Sequence, residues 1–319
     1  MITAKNYAAQ AQKGLYEYSS ALKNAGMKND ALRVKSWADL ISTAVHFAIP
    51  DSGILLGNKA KSLHGHELRL PFENITIERY VTNKTELNIN DQKARLKKQV
   101  ILASFLKSSD IIKFYGKELP FINSSEYCIA VSSAYIIIES WQPCLLMQFI
   151  PCNNWEDIEN LPTIIERKSE ESIGFSAWIV PWLNETLNHL FLSSKIDYKD
   201  YLDTFMQDIS DDSAMLLEFL EALSCKNVEA TTYCQASEKN AKRIAQGKLP
   251  IFETKVLTIK PGNVSTNSGK NSGGHHASPR QHLRRGHIRR LETGNIWVNS
   301  CVVGDSNKGF IEKTYKVSL

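Results

Sequence analysis

The chain has 319 residues, a formal net charge of +4, 43% hydrophobic residues and 23% charged ones. That is apolar material for one large domain or two smaller ones, and it excludes a wholly disordered chain. The six cysteines (Cys128, Cys144, Cys152, Cys225, Cys234 and Cys301) form no CxxC pair and no regular spacing, which excludes a disulfide framework and a zinc ribbon and leaves reduced thiols.

The charge is patterned. Acidic stretches such as Trp155-Glu156-Asp157-Ile158-Glu159 and Asp208 to Asp212 offset basic ones elsewhere, which suggests a local anion site. Met1 to Tyr7 leads into a polar amphipathic stretch and no apolar h-region, and no later run approaches the roughly 20 apolar residues a bilayer requires. The expectation is a soluble cytoplasmic protein with no membrane partner.

Tyr7, Ala8, Ala11, Leu15 and Leu22 recur at helical spacing, and Gly26 stands where a C-terminal cap would. A second helix is predicted after a cap at Asn29 or Asp30. It carries Leu32, Val34, Trp37, Leu40, Ile41, Ala44, Val45 and Phe47, with Pro50 and Gly53 ending it. From Leu68 the texture turns to short strands. Ile75 and Ile77 alternate with Asn74, Thr76 and Glu78, Val100 to Phe105 is a continuous apolar run, and Glu126 to Ile138 and Leu145 to Ile150 read as strands around a turn at Gln142-Pro143.

Trp178, Pro181 and Trp182 belong to an apolar return into the core. Helix is predicted from Tyr198 to Leu223, broken near Asp211-Asp212, where Ser210 or Asp211 would cap the second half. Lys239, Lys242, Arg243 and Lys248 then form a basic patch before a strand at Ile251 to Ile259. The Gly/Ser/Asn composition of residues 261–274 marks a flexible linker.

Beyond it lies the densest run of cations, Ser278-Pro279-Arg280-Gln281-His282-Leu283-Arg284-Arg285-Gly286-His287-Ile288-Arg289-Arg290-Leu291, followed by strand-like segments at Ile296 to Val303 and Phe310 to Val317. Read as one strand, Arg280 to Leu291 places Arg285, His287 and Arg289 on one face and His282, Arg284 and Arg290 on the other. A His between Arg groups has its cationic form disfavoured and stays able to accept a proton near pH 7. Metal-independent RNA cleavage needs such a base for the ribose 2′-OH, with guanidinium groups stabilising the phosphate, so His287, His282 and Arg285 are the candidate catalytic residues. The same residues also describe a patch that only binds phosphates through Arg contacts. The candidate nucleic-acid-binding residues are Arg280, Arg284, Arg285, Arg289, Arg290, Lys242, Arg243 and Lys248.

Metal alternatives weigh less. His64 and His66 flank Gly65 in a loop-like stretch, His275, His276, His282, His287 and Cys301 match no ligand spacing, and Glu253-Thr254-Lys255 is a bare ExK. There is no phosphate-binding Gly-rich loop ahead of Lys-Ser/Thr, no GxSxG and no GxGxxG, so ATP-driven chemistry, hydrolase triads and an organic cofactor are not expected.

The order Pro279, Arg280, His282, Arg284-Arg285-Gly286-His287, then Trp297-Val298-Asn299 and Val302-Val303-Gly304, resembles phage- and plasmid-borne proteins. It is also similar to the C-terminal part of one type V anti-CRISPR family, the second AcrVA subtype, with a weaker likeness at Glu118-Leu119-Pro120, Tyr127-Cys128-Ile129 and Gly247-Lys248-Leu249-Pro250. The resemblance implies a mobile-element protein in a bacterial host cell that lowers production of the type V-A effector by recognising its nascent peptide on the ribosome and causing loss of its transcript. It falls on Arg284, Arg285, Gly286 and His287, while Ile288, Arg289 and Arg290 depart from the family pattern of a further His and aromatic residues.

The expected fold is α+β. A main domain spans residues 1–260, with a helical hairpin at 1–50 and a mainly antiparallel sheet with packed helices at 68–260. The linker is 261–274 and a basic C-terminal β-meander is 275–319. The expected function is action on RNA or on a translating complex. The alternatives are a non-catalytic nucleic-acid-binding module and a peptide-binding interaction protein that adds a strand to a sheet edge.

Overall fold

The structure is a computed structural model that describes residues 6–49, 70–80, 86–89, 92–95, 98–107, 110, 127–137, 140–151, 178–181, 183–193, 198–260, 280–284, 287–298, 301–303 and 305–311. The linker at 261–274, the His64 and His66 loop, His275, His276, Trp182 and residues 312–317 of the last expected strand lie outside the described residues. The chain divides into two compact units, Met1–Leu220 with Thr231–Val256, and Glu221–Ala230 with Leu257–Leu319.

In the first unit, α1 (Tyr7–Asn24) and α2 (Lys28–Thr43) form the predicted hairpin around Gly26, which adopts φ 88°, a value glycine reaches without strain. The α1 stripe Ala8, Ala11, Leu15 and Leu22 meets Val34, Trp37, Ala38 and Ile41 of α2 in the core. Each side chain the size of Trp37 or Leu15, buried to about 1% or less, contributes roughly 1.5–3 kcal/mol. The α2 helix stops earlier than predicted. Val45–Ala48 is strand β1, because β-branched Thr43 and Val45 and the bulky Phe47 suit a pleated, buried surface better than another helical turn.

The strands that follow are β2 (Asn74–Tyr80), β3 (Glu86–Ile89), β4 (Gln92–Arg95), β5 (Lys98–Lys107), β6 (Tyr127–Ile137), β7 (Ser140–Pro143), β8 (Leu146–Pro151) and β9 (Trp178–Pro181). Helices α3 (Asn184–Ser193) and α4 (Tyr198–Leu223) come next, then β10 (Val228–Cys234), α5 (Asn240–Ala245) and β11 (Thr254–Ile259). The main sheet has the order β10-β11-β1-β2-β5-β6-β8-β9, with β7 also paired to β6, while β3 and β4 pair with each other. Strand β1 runs parallel to β2 and β11, and the pairs from β2 to β9 are antiparallel. This is the expected α+β fold with a mainly antiparallel sheet. The predicted turn at Gln142-Pro143 is instead the paired strand β7, in which Gln142 opposes Tyr135 and Pro143 opposes Ala134.

Register explains why polar residues occur inside. Asn74, Thr76 and Glu78 oppose Ser104, Leu102 and Val100, so they share the pleat that packs beneath α1 and α2. They are buried and bonded: Ser104 Oγ donates to Asn74 Oδ1 at 2.6 Å, His46 Nδ1 and Thr76 Oγ1 are 2.7 Å apart, and the Ala8 N–H at the start of α1 donates to Glu78 Oε1 at 2.8 Å. The other pleat carries Ile75, Ile77, Ile101 and Val131 and is covered by α4, whose Phe219 meets Phe47 edge-on at 4.8 Å. A sheet covered on both faces accounts for the unbroken apolar run of β5. Gly14 of α1 allows close approach to β7, since a methyl group there would overlap Trp141 Cβ.

Helix α4 is continuous, and the expected break at Asp211-Asp212 is absent. Asp212 points inward, where the Arg79 guanidinium and the Gln99 amide reach its Oδ1 at 2.8 and 2.7 Å. Cys128, Cys144 and Cys225 are buried and stand outside any disulfide among the described residues.

In the second unit, β12 (Arg280–Arg284), β13 (His287–Leu291), β14 (Gly294–Val298), β15 (Cys301–Val303) and β16 (Asp305–Ile311) form two small sheets. One has the order β15-β12-β16, with β12 antiparallel to β15 and parallel to β16, and the other is the β13-β14 hairpin.

Candidate nucleic-acid interface

The predicted single strand from Arg280 to Leu291 is replaced by two strands in different sheets. Gly286, within the run, has no side chain to pack and is a poor strand residue, which favours a division there. Arg280, His282 and Arg284 take alternate positions of β12, opposite Asp305, Val303 with Ile311, and Cys301 respectively. His287, Arg289 and Leu291 take alternate positions of β13, opposite Val298, Ile296 and Gly294. His282 and His287 therefore belong to different sheets, whereas the single-strand reading set them on opposite faces of one strand. Arg285 lies outside the described residues, as do the side chains of Arg280, His282, Arg284, His287 and Arg290. The Arg289 side chain is exposed.

What fixes the hairpin is a set of contacts that the sequence reading missed. The carboxamide of Asn227, just after α4, pairs with the Trp297 backbone like a neighbouring strand: Trp297 N–H donates to Asn227 Oδ1, and Asn227 Nδ2 donates to Trp297 O, both at 2.7 Å. The Lys226 N–H donates to Asn295 O at 3.0 Å, and Asn295 Nδ2 donates to Ser224 Oγ at 3.1 Å. The turn closes at Gly294 with φ 119°, a left-handed value that a side chain would strain. The only signal in the sequence was the Asn227 side chain itself, since Asn can imitate a peptide group.

The second basic patch lies in the first unit. Lys239, Lys242 and Lys248 are exposed around α5, together with Ile244, which is 58% exposed. Arg243 is partly buried, and its Nε donates to Leu249 O at 2.9 Å, so part of this guanidinium holds the loop. The Asn240 carboxamide pairs with both the N–H and the C=O of Ile251 at 2.9 Å, the same device as at Trp297.

Of the residues weighed for a metal, only Glu253-Thr254-Lys255 has described side chains. Lys255 Nζ meets Glu253 Oε1 at 2.7 Å, so the ExK carboxylate is occupied by its own lysine, which also holds its pKa below the usual carboxylate value. Cys301 opposes Arg284 in the register of β15 with β12. Among the described residues there is no group of three His, Cys, Asp or Glu residues placed to hold a metal, and no helix is long and apolar enough to cross a membrane.

Comparison with family models, with curated proteins and with solved structures gives no match for this chain.

Proposed function

We propose that this protein binds RNA through the Arg/His segment of its second unit, as a mobile-element protein acting on a transcript or a translating complex. The observation that carries the reading is the exposed Arg289 on a hairpin whose register and backbone are fixed by Asn227, Lys226 and Gly294, with Arg290 beside it. A short basic β-ribbon pinned along β14 offers guanidinium groups to phosphates with little backbone ordering cost on binding. The exposed Lys239, Lys242 and Lys248 supply a second cationic surface in the first unit.

The resemblance at Arg284-Arg285-Gly286-His287 makes the type V-A effector transcript, with its nascent peptide, the first target to try, and an anti-CRISPR role the form this activity would take. Should RNA also be cut without a metal, His287 is the candidate base.

Titration of a single-stranded RNA from low to high salt tests the reading. Joint replacement of Arg284, Arg285, Arg289 and Arg290 by Ala is expected to flatten the slope of log affinity against log salt by about 0.7 for each phosphate that is no longer neutralised. An unchanged slope in a folded variant moves the site to the α5 patch, and a wild-type protein that fails to bind RNA at all ends the proposal.

A further inference from the structure

The three described tryptophans whose side chains can be compared differ in surroundings. Trp37 and Trp141 are buried in the first unit's core, at 1% and 8% exposure, whereas Trp297 is partly exposed on a hairpin strand that has no fully buried position. Asn227 takes both its backbone N–H and its backbone C=O. It fixes the backbone from which the ring projects.

The register supplies the second observation. Trp297 opposes Ile288, and Asn295 opposes Arg290, so Trp297 and Arg290 hold diagonal positions on the same face of the ribbon. Cross-strand diagonals are about 7–8 Å apart, close to the spacing between a nucleotide base and its neighbouring phosphate, and within reach of long side chains. A partly exposed aromatic on the same ribbon face as an arginine position is an arrangement that can stack an unpaired base while the cation meets the backbone.

From this juxtaposition we infer that Trp297, positioned by Asn227, is a base-stacking residue that makes the hairpin selective for single-stranded nucleic acid over other polyanions. The inference rests on the RNA reading above and adds to it the chemical class of ligand.

The test uses the full-length chain, with a single-stranded oligoadenylate as one probe and inorganic polyphosphate, which has charge but no bases, as the other. Trp297→Leu is expected to weaken oligoadenylate binding about tenfold or more while leaving polyphosphate binding and the salt slope unchanged, and Trp297→Phe, which keeps a ring, is expected to retain most of the affinity. Asn227→Ala, which frees the backbone, should give an intermediate loss for the oligonucleotide only. Equal losses for both probes would mean that Trp297 merely supports the hairpin, and no loss for oligoadenylate would overturn the inference outright. A wild-type protein that binds polyphosphate and oligoadenylate alike overturns stacking but leaves phosphate binding standing, whereas one that binds neither overturns both readings.

Discussion

Asp30 and Glu185 cap each other's helices. Glu185, in the first turn of α3, accepts from Asn29 Nδ2 at 2.8 Å and from the N–H groups of Asn29 and Asp30 at 3.2 and 3.3 Å, at the start of α2. Asp30 does the same for α3, with its Oδ2 accepting from the Thr186 N–H and hydroxyl at 2.7 and 2.9 Å. Met27, at the N-cap of α2, offers no side-chain bond of its own, so the cap comes from another helix.

Removing either carboxylate should cost about 1–2 kcal/mol in urea unfolding, and the double variant less than the sum, because each loss loosens the other cap. Burial raises the Asp30 pKa despite its Thr186 donors and Arg33 at 3.3 Å. Its folded pKa thus lies above the unfolded 3.8, so its contribution is greatest below that value and declines as pH rises through the folded pKa. Asp30→Asn, which keeps an acceptor, should therefore be milder than Asp30→Ala at neutral pH. Strictly additive losses would show that the two caps are independent.

This arrangement also shows where the sequence was legible and where it was not. The alternation of Ile75 and Ile77, the apolar run at Val100 to Phe105 and the Gly26 stop were readable because strand period, full burial and a left-handed cap each leave a local signature. Asp30 looked like a cap for its own helix and caps a different one, and Asp212 looked like a break and is a buried partner for Arg79. Both depend on residues more than 100 positions away, which no local pattern carries. At the candidate site, the basic run was plain from composition, while its division between two sheets depends on pairing with strands further along the chain. The Asn227 clamp needed the backbone of Trp297 in place before it meant anything.

His46 should make the first unit acid-sensitive. It is 4% exposed, stacked on Phe252 at 4.5 Å and bonded to Thr76, and burial lowers its pKa from 6.5 to about 4. Between those values the unfolded chain binds the proton and the folded chain does not, so stability is lost as pH falls from 6.5 toward 4. A shift of this size corresponds to about 3 kcal/mol at the acid end. Urea midpoints measured from pH 7.5 down to 4 should fall steeply for the wild type and less for His46→Gln, which can still bond to Thr76. Parallel curves for the two proteins would remove His46 as the cause.

Arg79 and Asp212 join the sheet to α4 in a site where neither can be lost alone. The Arg79 side chain is 13% exposed and Asp212 is fully buried, with Gln99 bridging them by accepting from Arg79 Nε at 2.6 Å and donating to Asp212. Burial raises the Asp212 pKa against the lowering effects of Arg79, Ser133 and Gln99, so the carboxylate is held in place at a desolvation cost. Ser133 Oγ and Asp212 Oδ2 have no hydrogen bond of good geometry, although Ser133 is close enough to affect the titration. Asp212→Leu alone should cost about 3–5 kcal/mol, because it leaves a buried guanidinium uncompensated. The pair Arg79→Met with Asp212→Leu should recover part of that loss, and adding Gln99→Leu should recover more by removing the remaining unpaired amide, worth about 1–3 kcal/mol. Thermal or urea unfolding of the series decides between the two uses of such a network. If the triple variant is as stable as the wild type but its amide hydrogens exchange faster along α4, the polar cluster sets the position of the helix; if the triple variant is no better than Asp212→Leu, the ion pair itself is a net source of stability.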